Sequence, residues 1–71
     1  MKAIERPLDL LNGSKGKKVI LRLKNDRTIS GILLAFDINI NLVLDDAQEA
    51  DTKLGLMFIR GDSVIYVSPA V

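Results

Sequence analysis

The sequence predicts a mostly β domain, with one N-terminal helix followed by a five-stranded, strongly bent antiparallel small barrel. Three observations predict it. Apolar and polar residues alternate from Val19 onward, which is the period of a strand. Short polar connections separate the apolar runs, as in a sheet built from successive hairpins. Gly31 interrupts the longest apolar stretch, where a glycine often marks a sharp bend. With 71 residues, we expect a single domain over residues 1–71.

A short helix is predicted over residues 4–12. Pro7 fits the first helical turn, because the N–H that proline lacks would be unpaired there in any case. Apolar residues recur at a spacing that places them on one helical face: Ile4, Leu8 and Leu11. Asn12-Gly13 provides the stop signal, and a basic loop follows it.

The first two strands form a hairpin in this prediction. Val19, Leu21 and Leu23 alternate with basic residues, although Ile20 breaks the pattern, and residues 24–27 are typical of a hairpin turn. The second strand then runs over residues 28–36. It alternates before Gly31 and is almost entirely apolar after it. We therefore expect the strand to bend there, with the part beyond the bend covered on both faces, as in a small barrel.

The last three strands follow two further polar breaks. The third begins at Leu42 and leads into an acidic stretch, and residues 50–53 form the next turn. The fourth and fifth strands cover residues 54–59 and 64–67 and carry little charge and no internal proline. An exposed edge of this kind aggregates unless another strand pairs with it. A closed ring of identical subunits is one solution.

Composition excludes several classes of protein. The chain has no cysteine and no histidine, which excludes disulfides and argues against a zinc site. No cofactor is expected, and no nucleophile–base pair indicates an enzyme. The acidic residues Asp45, Asp46 and Glu49 could bind a divalent ion, but a solvated strand end is the simpler interpretation. The longest apolar run, residues 32–36, is too short for a membrane span or signal peptide. We expect a soluble cytoplasmic protein.

The charges are segregated although the net charge is only +1. Residues 15–27 hold six basic residues and one acid, and residues 37–51 hold five acids and no base. A local basic stripe can serve a nucleic-acid binder without a basic total. Two oppositely charged surfaces that attract each other between subunits would explain the same pattern.

Two polar breaks are the candidate functional site. In the second, Arg60-Gly61-Asp62, glycine provides the backbone freedom of a turn. A turn does not require the arginine and aspartate, which suggests a guanidinium held by a carboxylate and directed at a ligand. The first break, residues 37–41, contains Asp37, Asn39 and Asn41. Such residues are also common turn formers, so this break has a purely structural explanation as well.

These residues resemble the two sequence motifs of the Sm and Sm-like (Lsm) proteins. Residues 16–44 are similar to the first motif, with Gly31 in the bent strand and Asp37-x-x-x-Asn41-Leu42-Val43-Leu44 at its end. Residues 54–67 resemble the second motif, around Ile59-Arg60-Gly61-Asp62. The short loop between the motifs is similar to that of archaeal Sm-like proteins. The resemblance implies the SH3-like Sm fold and a ring, usually of seven subunits, in which the fourth strand pairs with a neighbour's fifth.

The resemblance also implies binding of single-stranded, often uridine-rich RNA at the inner rim of a central pore, in an RNA chaperone or scaffold. Unpaired bases are bound by stacking and by hydrogen bonds to their edges. Arg60 offers a planar face and five donors, and Asn41 offers a donor and an acceptor for a uracil edge. Asp62 can hold the guanidinium, and Asp37 can hold its loop rigid through backbone N–H groups.

Asn39 departs from the family pattern, which usually has an aromatic residue or histidine there to stack on the base. An amide lacks that π-face, and base–aromatic stacking contributes about 1–3 kcal/mol. The alternative function is therefore a structural or protein-interaction ring with a weakened RNA site. A monomeric barrel that binds peptides is a third possibility. A second RNA surface near the helix is also a candidate, formed by Arg6, Lys15, Lys17 and Lys18.

Overall fold

The computed structural model describes residues 6–70, which contain one α-helix and five strands. In chain order these are α1 (Pro7–Ser14), β1 (Lys18–Leu23), β2 (Arg27–Phe36), β3 (Leu42–Glu49), β4 (Thr52–Ile59) and β5 (Val64–Pro69). The strands form one sheet in the order β4-β3-β2-β1-β5, and every neighbouring pair is antiparallel. The predicted fold class is confirmed.

The helix differs from its predicted bounds. Residues 4 and 5 of the prediction lie outside the described part of the chain. At the start, the Asp9 carboxylate accepts the Arg6 backbone N–H at 3.0 Å, which satisfies a donor that the helix leaves unpaired. The predicted end near Asn12 is wrong, because α1 continues to Ser14. Ser14 is buried, and its hydroxyl donates to the Leu10 carbonyl oxygen at 2.8 Å, so this last turn is held by packing and by its own hydrogen bond.

Strand β2 is shared by the two halves of the sheet. Residues 27–32 pair with β1, and residues 30–36 pair with β3, so that Gly31 lies where the two pairings overlap. A Cβ atom at Gly31 would lie 3.0 Å from the Asp45 carbonyl oxygen and 3.2 Å from the Ala47 Cα atom. Any side chain would push β3 away from β2 at this point. The bend predicted at Gly31 is therefore a site of close strand approach.

A bulge in β3 adds to the curvature of the sheet. The pairing shifts from Ile32 opposite Asp45 to Ser30 opposite Gln48, so three steps along β3 match two along β2. Asp46, inside this bulge, has a positive φ of 52°. Bulges of this kind increase local twist and bend the strand.

The hydrophobic core lies inside the bent sheet and beneath α1. Strand β1 buries every second residue, as its sequence alternation predicts. The buried apolar residues are Leu11, Val19, Leu21, Leu23, Ile29, Leu33, Leu42, Leu44, Ala47 and Ile59. They come from α1 and the first four strands, so that β5 contributes only partly buried side chains.

The two edge strands expose apolar side chains. Among residues 6–70, β4 pairs only with β3, and β5 pairs only with β1. Leu56 and Phe58 on β4 and Ile65 and Tyr66 on β5 are all more than half exposed. The outer backbone of both strands therefore has no partner strand within the described chain. No helix in this part of the chain is long and apolar enough to cross a membrane.

Candidate nucleic-acid interface

The two polar breaks lie at the same end of the sheet. Residues 37–41 connect β2 to β3, and residues 60–63 connect β4 to β5. Leu42 is the first residue of β3 and pairs with Ile59, the last residue of β4. This pairing places the two connections side by side, which we call the rim.

Asp37 holds the first rim loop in place. Its Oδ1 atom accepts the backbone N–H groups of Asn39 at 2.9 Å and of Asn41 at 3.1 Å. Its Oδ2 atom accepts the Asn41 side-chain Nδ2–H at 3.0 Å. The side-chain bond from Asn41 is the largest cause that lowers the pKa of Asp37, and the two backbone bonds act in the same direction. The loop is therefore closed around an ionised carboxylate.

Asn41 joins the first rim loop to the second. While Nδ2 donates to Asp37, the Oδ1 atom of the same amide accepts the Gly61 backbone N–H at 2.8 Å. Both ends of the amide are thus bonded, so the positions of its oxygen and nitrogen are fixed. One Nδ2 hydrogen and one Oδ1 lone pair remain for a ligand.

Gly61 is required for a different reason from the one that the sequence indicates. Positive φ values occur at Gly16 and Gly55 but not at Gly61, so backbone freedom does not explain it. A Cβ atom at Gly61 would overlap the Asn39 carbonyl oxygen and lie 3.0 Å from the Ile40 carbonyl carbon. The two rim loops pack backbone against backbone here, and only glycine leaves the space.

Arg60 and Asp62 lie on the outside of the second rim loop. The Nη2 atom of Arg60 is 3.2 Å from the Oδ2 atom of Asp62, and the side chains are 74% and 65% exposed. An exposed pair of this kind contributes little to folding stability. It does restrict the guanidinium while leaving its plane and most of its donors accessible to a ligand.

Asn39 and Ile38 are the remaining exposed side chains of the first rim loop. The Asn39 side chain makes no hydrogen bond to any residue that the structure describes, whereas its backbone is held by Asp37 and covered by Gly61. Ile38 is 79% exposed, the largest fraction among the exposed large apolar residues of the described chain. Sequence reasoning missed Ile38. Its position in the middle of a turn fixed by its polar neighbours was the available signal.

The basic residues of the predicted second surface are not brought together. Arg6 precedes α1 and its Nη2 atom lies 3.4 Å from Asp9 Oδ1, whereas Lys15, Lys17 and Lys18 follow the other end of the helix. An eight-residue helix is about 12 Å long at about 1.5 Å per residue. All four side chains are exposed. Arg6 is therefore separate from the three lysines, which are neighbours in sequence.

The segregated charges meet within one chain. Arg27 donates to both carboxylate oxygens of Glu49, from Nε at 3.0 Å and from Nη2 at 2.8 Å. This hydrogen-bonded partner lowers the pKa of Glu49. The pair joins the start of β2 to the end of β3. The rim lies at the opposite ends of these two paired strands. Part of the charge pattern is therefore explained by contacts inside the subunit.

Comparison with known proteins agrees with this architecture. The LSM domain model matches residues 9–69. An snRNP Sm-like protein of Archaeoglobus fulgidus is 50% identical over 70 residues, which cover 92% of this chain and 91% of the relative. An snRNP Sm-like protein of Methanococcoides burtonii is 48% identical over 69 residues, covering 90% and 96%.

Two solved structures are similar along most of the chain. A heptameric archaeal Sm protein superposes with a TM-score of 0.86 at 40% identity, covering 89% of this chain and 98% of the other. The Sm protein of Pyrococcus abyssi, in complex with a uridine heptamer, superposes with a TM-score of 0.88 at 38% identity, covering 93% and 100%. With a family model that spans most of its length and relatives that share about half of its residues, this chain belongs to the LSM domain family.

Proposed function

We propose that this protein forms a homo-oligomeric ring, most readily a heptamer, that binds single-stranded, uridine-rich RNA at the rim. In this role it is a non-enzymatic, cytoplasmic RNA chaperone or scaffold in RNA processing. The observation that carries the proposal is the hydrogen-bonded chain from Asp37 through Asn41 to Gly61, which joins the two rim loops into one surface.

The side chains of this surface suit an unpaired base. Asn41 keeps one donor and one acceptor after its bonds to the protein, which matches the adjacent acceptor and donor on the uracil edge. Arg60 keeps an exposed guanidinium plane on which a base can stack. Asp62 orients Arg60, and Asp37 and Gly61 hold the amide that contacts the base.

The edge strands support assembly into a ring. Strands β4 and β5 each lack a partner on one side among the described residues, and both expose apolar side chains next to that edge. Pairing β4 of one subunit with β5 of the next satisfies both edges and covers those side chains. The similar archaeal protein is a heptamer, which supports the same number here.

Substitution of Arg60 tests the RNA-binding proposal. We expect Arg60→Ala to weaken binding of a fluorescent oligo-U strand at least tenfold, since base stacking contributes about 1–3 kcal/mol per base and several sites act together. Lys53→Ala is the matched control, because it removes one exposed positive charge near the start of β4, at the other end of that strand from the rim. Fluorescence anisotropy at fixed salt is the measurement. Equal affinities of wild type and Arg60→Ala would contradict the proposed site.

A structural or protein-interaction ring is the second candidate function, and Asn39 favours it. This exposed amide lacks the π-face that a stacking residue provides. If the ring binds RNA only weakly, then oligo-U binding should stay marginal in the wild type and remain so in an Asn39→Tyr variant. A clear gain in Asn39→Tyr would support the RNA-binding function.

The lysines that follow α1 are proposed as a second contact for the RNA backbone. Lys15, Lys17 and Lys18 are exposed and close together in sequence, whereas Arg6 is at the other end of the helix and acts separately if it contributes. Backbone contacts of this kind are independent of base identity. We expect Lys15→Ala with Lys17→Ala to reduce the salt dependence of binding without changing base preference.

A further inference from the structure

Two asparagine side chains lie on the locked first rim loop, and the protein holds only one of them. The Asn41 amide is bonded at both ends, by Asp37 and by Gly61. The Asn39 amide is exposed and makes no hydrogen bond to residues 6–70. Its main chain is nevertheless fixed, because its N–H donates to Asp37 and its carbonyl packs against Gly61. The loop therefore presents a free amide on a rigid backbone, two residues before a fixed one.

A base bound to Asn41 meets an amide whose orientation cannot reverse. Reversal would point Nδ2 at the Gly61 N–H and Oδ1 at the Asp37 carboxylate, which breaks both bonds and sets like groups against each other. Uracil satisfies this amide with its single polar edge, where N3–H lies between two carbonyl oxygens. On its other side uracil presents only the second lone pair of O4, so it can accept one hydrogen bond from Asn39 but cannot form a bidentate pair with it.

Adenine has two polar edges. On the Watson–Crick edge, N6–H can donate to Asn41 Oδ1 and N1 can accept from Nδ2. On the opposite edge, N6 carries a second hydrogen beside the N7 acceptor, and a bidentate bond from an asparagine amide to N6 and N7 is the usual way in which proteins bind adenine. Guanine presents two acceptors there, O6 and N7, which suit arginine or lysine instead.

We propose that the Asn39 amide makes adenine a ligand of the rim, with Asn39 bonded to N6 and N7 and Asn41 bonded to the Watson–Crick edge. This inference rests on the proposed RNA-binding function and changes its substrate class. The rim then accepts single strands that mix adenine and uridine, with adenine bound through hydrogen bonds at a position where Asn39 cannot stack.

The intact oligomer and labelled homopolymers of equal length test this inference. We compare oligo-A, oligo-U and an oligo-A strand built from 7-deazaadenine, which lacks the N7 acceptor but keeps the Watson–Crick edge. Fluorescence anisotropy at one salt concentration gives the affinities. We expect oligo-A to bind within about threefold of oligo-U, and loss of N7 to weaken oligo-A binding by about tenfold, as loss of a bidentate contact does.

Asn39→Ala supplies the second half of the test. We expect it to weaken oligo-A binding about tenfold, to leave oligo-U binding within about twofold, and to abolish the difference between adenine and 7-deazaadenine. Asn12→Ala is the matched control, since it removes another exposed amide, on α1. It should bind all three strands as the wild type does.

Specific results would overturn the inference. The inference is wrong if the wild type binds oligo-A more than tenfold more weakly than oligo-U. It is also wrong if 7-deazaadenine has no effect, or if Asn39→Ala weakens binding of oligo-A and oligo-U equally. These results leave the proposed function intact as long as oligo-U binds and Arg60→Ala weakens it. Failure to bind any strand would instead refute the proposed function, and the inference with it.

Discussion

Replacing Gly61 by alanine is the sharpest test of how the rim is built. The new methyl group would overlap the Asn39 carbonyl oxygen, so the two rim loops must separate. Separation lengthens or breaks the 2.8 Å bond from the Gly61 N–H to the half-buried Asn41 amide. An unpaired polar group of this kind costs about 1–3 kcal/mol, and steric strain adds about 1–3 kcal/mol.

The expected total is about 2–6 kcal/mol, the sum of these two terms, which is large for a domain of this size. Each kcal/mol lowers the melting temperature of a small domain by about 4–8 °C, so Gly61→Ala should melt at least about 8 °C below wild type. The assay is thermal unfolding by circular dichroism at one fixed protein concentration, because assembly makes the melting temperature depend on concentration. RNA affinity should fall as well, because the loops no longer form one surface.

Gly13→Ala is the matched control for this experiment. Gly13 is exposed in α1, and a Cβ atom there would have nothing within 4 Å. Alanine is favoured over glycine in helices by about 1 kcal/mol, so this variant should melt at or slightly above the wild-type temperature. If Gly61→Ala melts within two degrees or so of wild type and binds RNA normally, then the close packing of the loops does not determine the rim.

Two further predictions follow from the rim and the sheet edges. The pKa of Asp37 is lower in the folded protein than in the unfolded chain, where it is about 3.9. The Asp37 carboxylate therefore stabilises the fold above that pH, and this stabilisation is lost as the pH falls through the pKa of the folded protein. Asp37→Asn should therefore melt below wild type at pH 7, and the gap should close in acid below about pH 4; a gap that does not change with pH would contradict the role of the carboxylate. Phe58→Glu places a charge beside the outer edge of β4 and should reduce the mass measured by light scattering, while Ile38→Glu, in the rim loop, should leave the mass unchanged. Equal masses for wild type and Phe58→Glu would argue against assembly through that edge.

The sequence predicts the parts of the fold that depend on local patterns. Val19, Leu21 and Leu23 recur at every second position and are buried, because one face of β1 covers the core. A glycine within a strand is a local signal with a physical cause, and Gly31 lies where β2 passes from its pairing with β1 to its pairing with β3. The apolar run of β4 carries no such alternation, so nothing in it predicts that Ile59 is buried while Phe58 is exposed.

The rim is only partly predictable for a related reason. An aspartate followed by polar turn residues predicts the capped loop at Asp37, since its partners are two and four residues away. The bond from Gly61 to Asn41 joins residues twenty positions apart, and no local pattern encodes it. The need for glycine at position 61 likewise comes from a neighbouring loop, so the sequence identifies the residue but suggests the wrong reason.

The positions of β4 and β5 at opposite edges of one sheet have a consequence for how assembly proceeds. An open row of subunits keeps one free β4 edge and one free β5 edge whatever its length, so lengthening the row never reduces the number of exposed edges. A contact that adds a subunit pairs two edges but brings two new ones, whereas the contact that joins the last subunit to the first pairs two edges and brings none. Closure also avoids the loss of freedom that recruiting another subunit entails. Partly built rows are therefore disfavoured relative to both free subunits and closed rings, and the protein should convert between these two states over a narrow range of concentration.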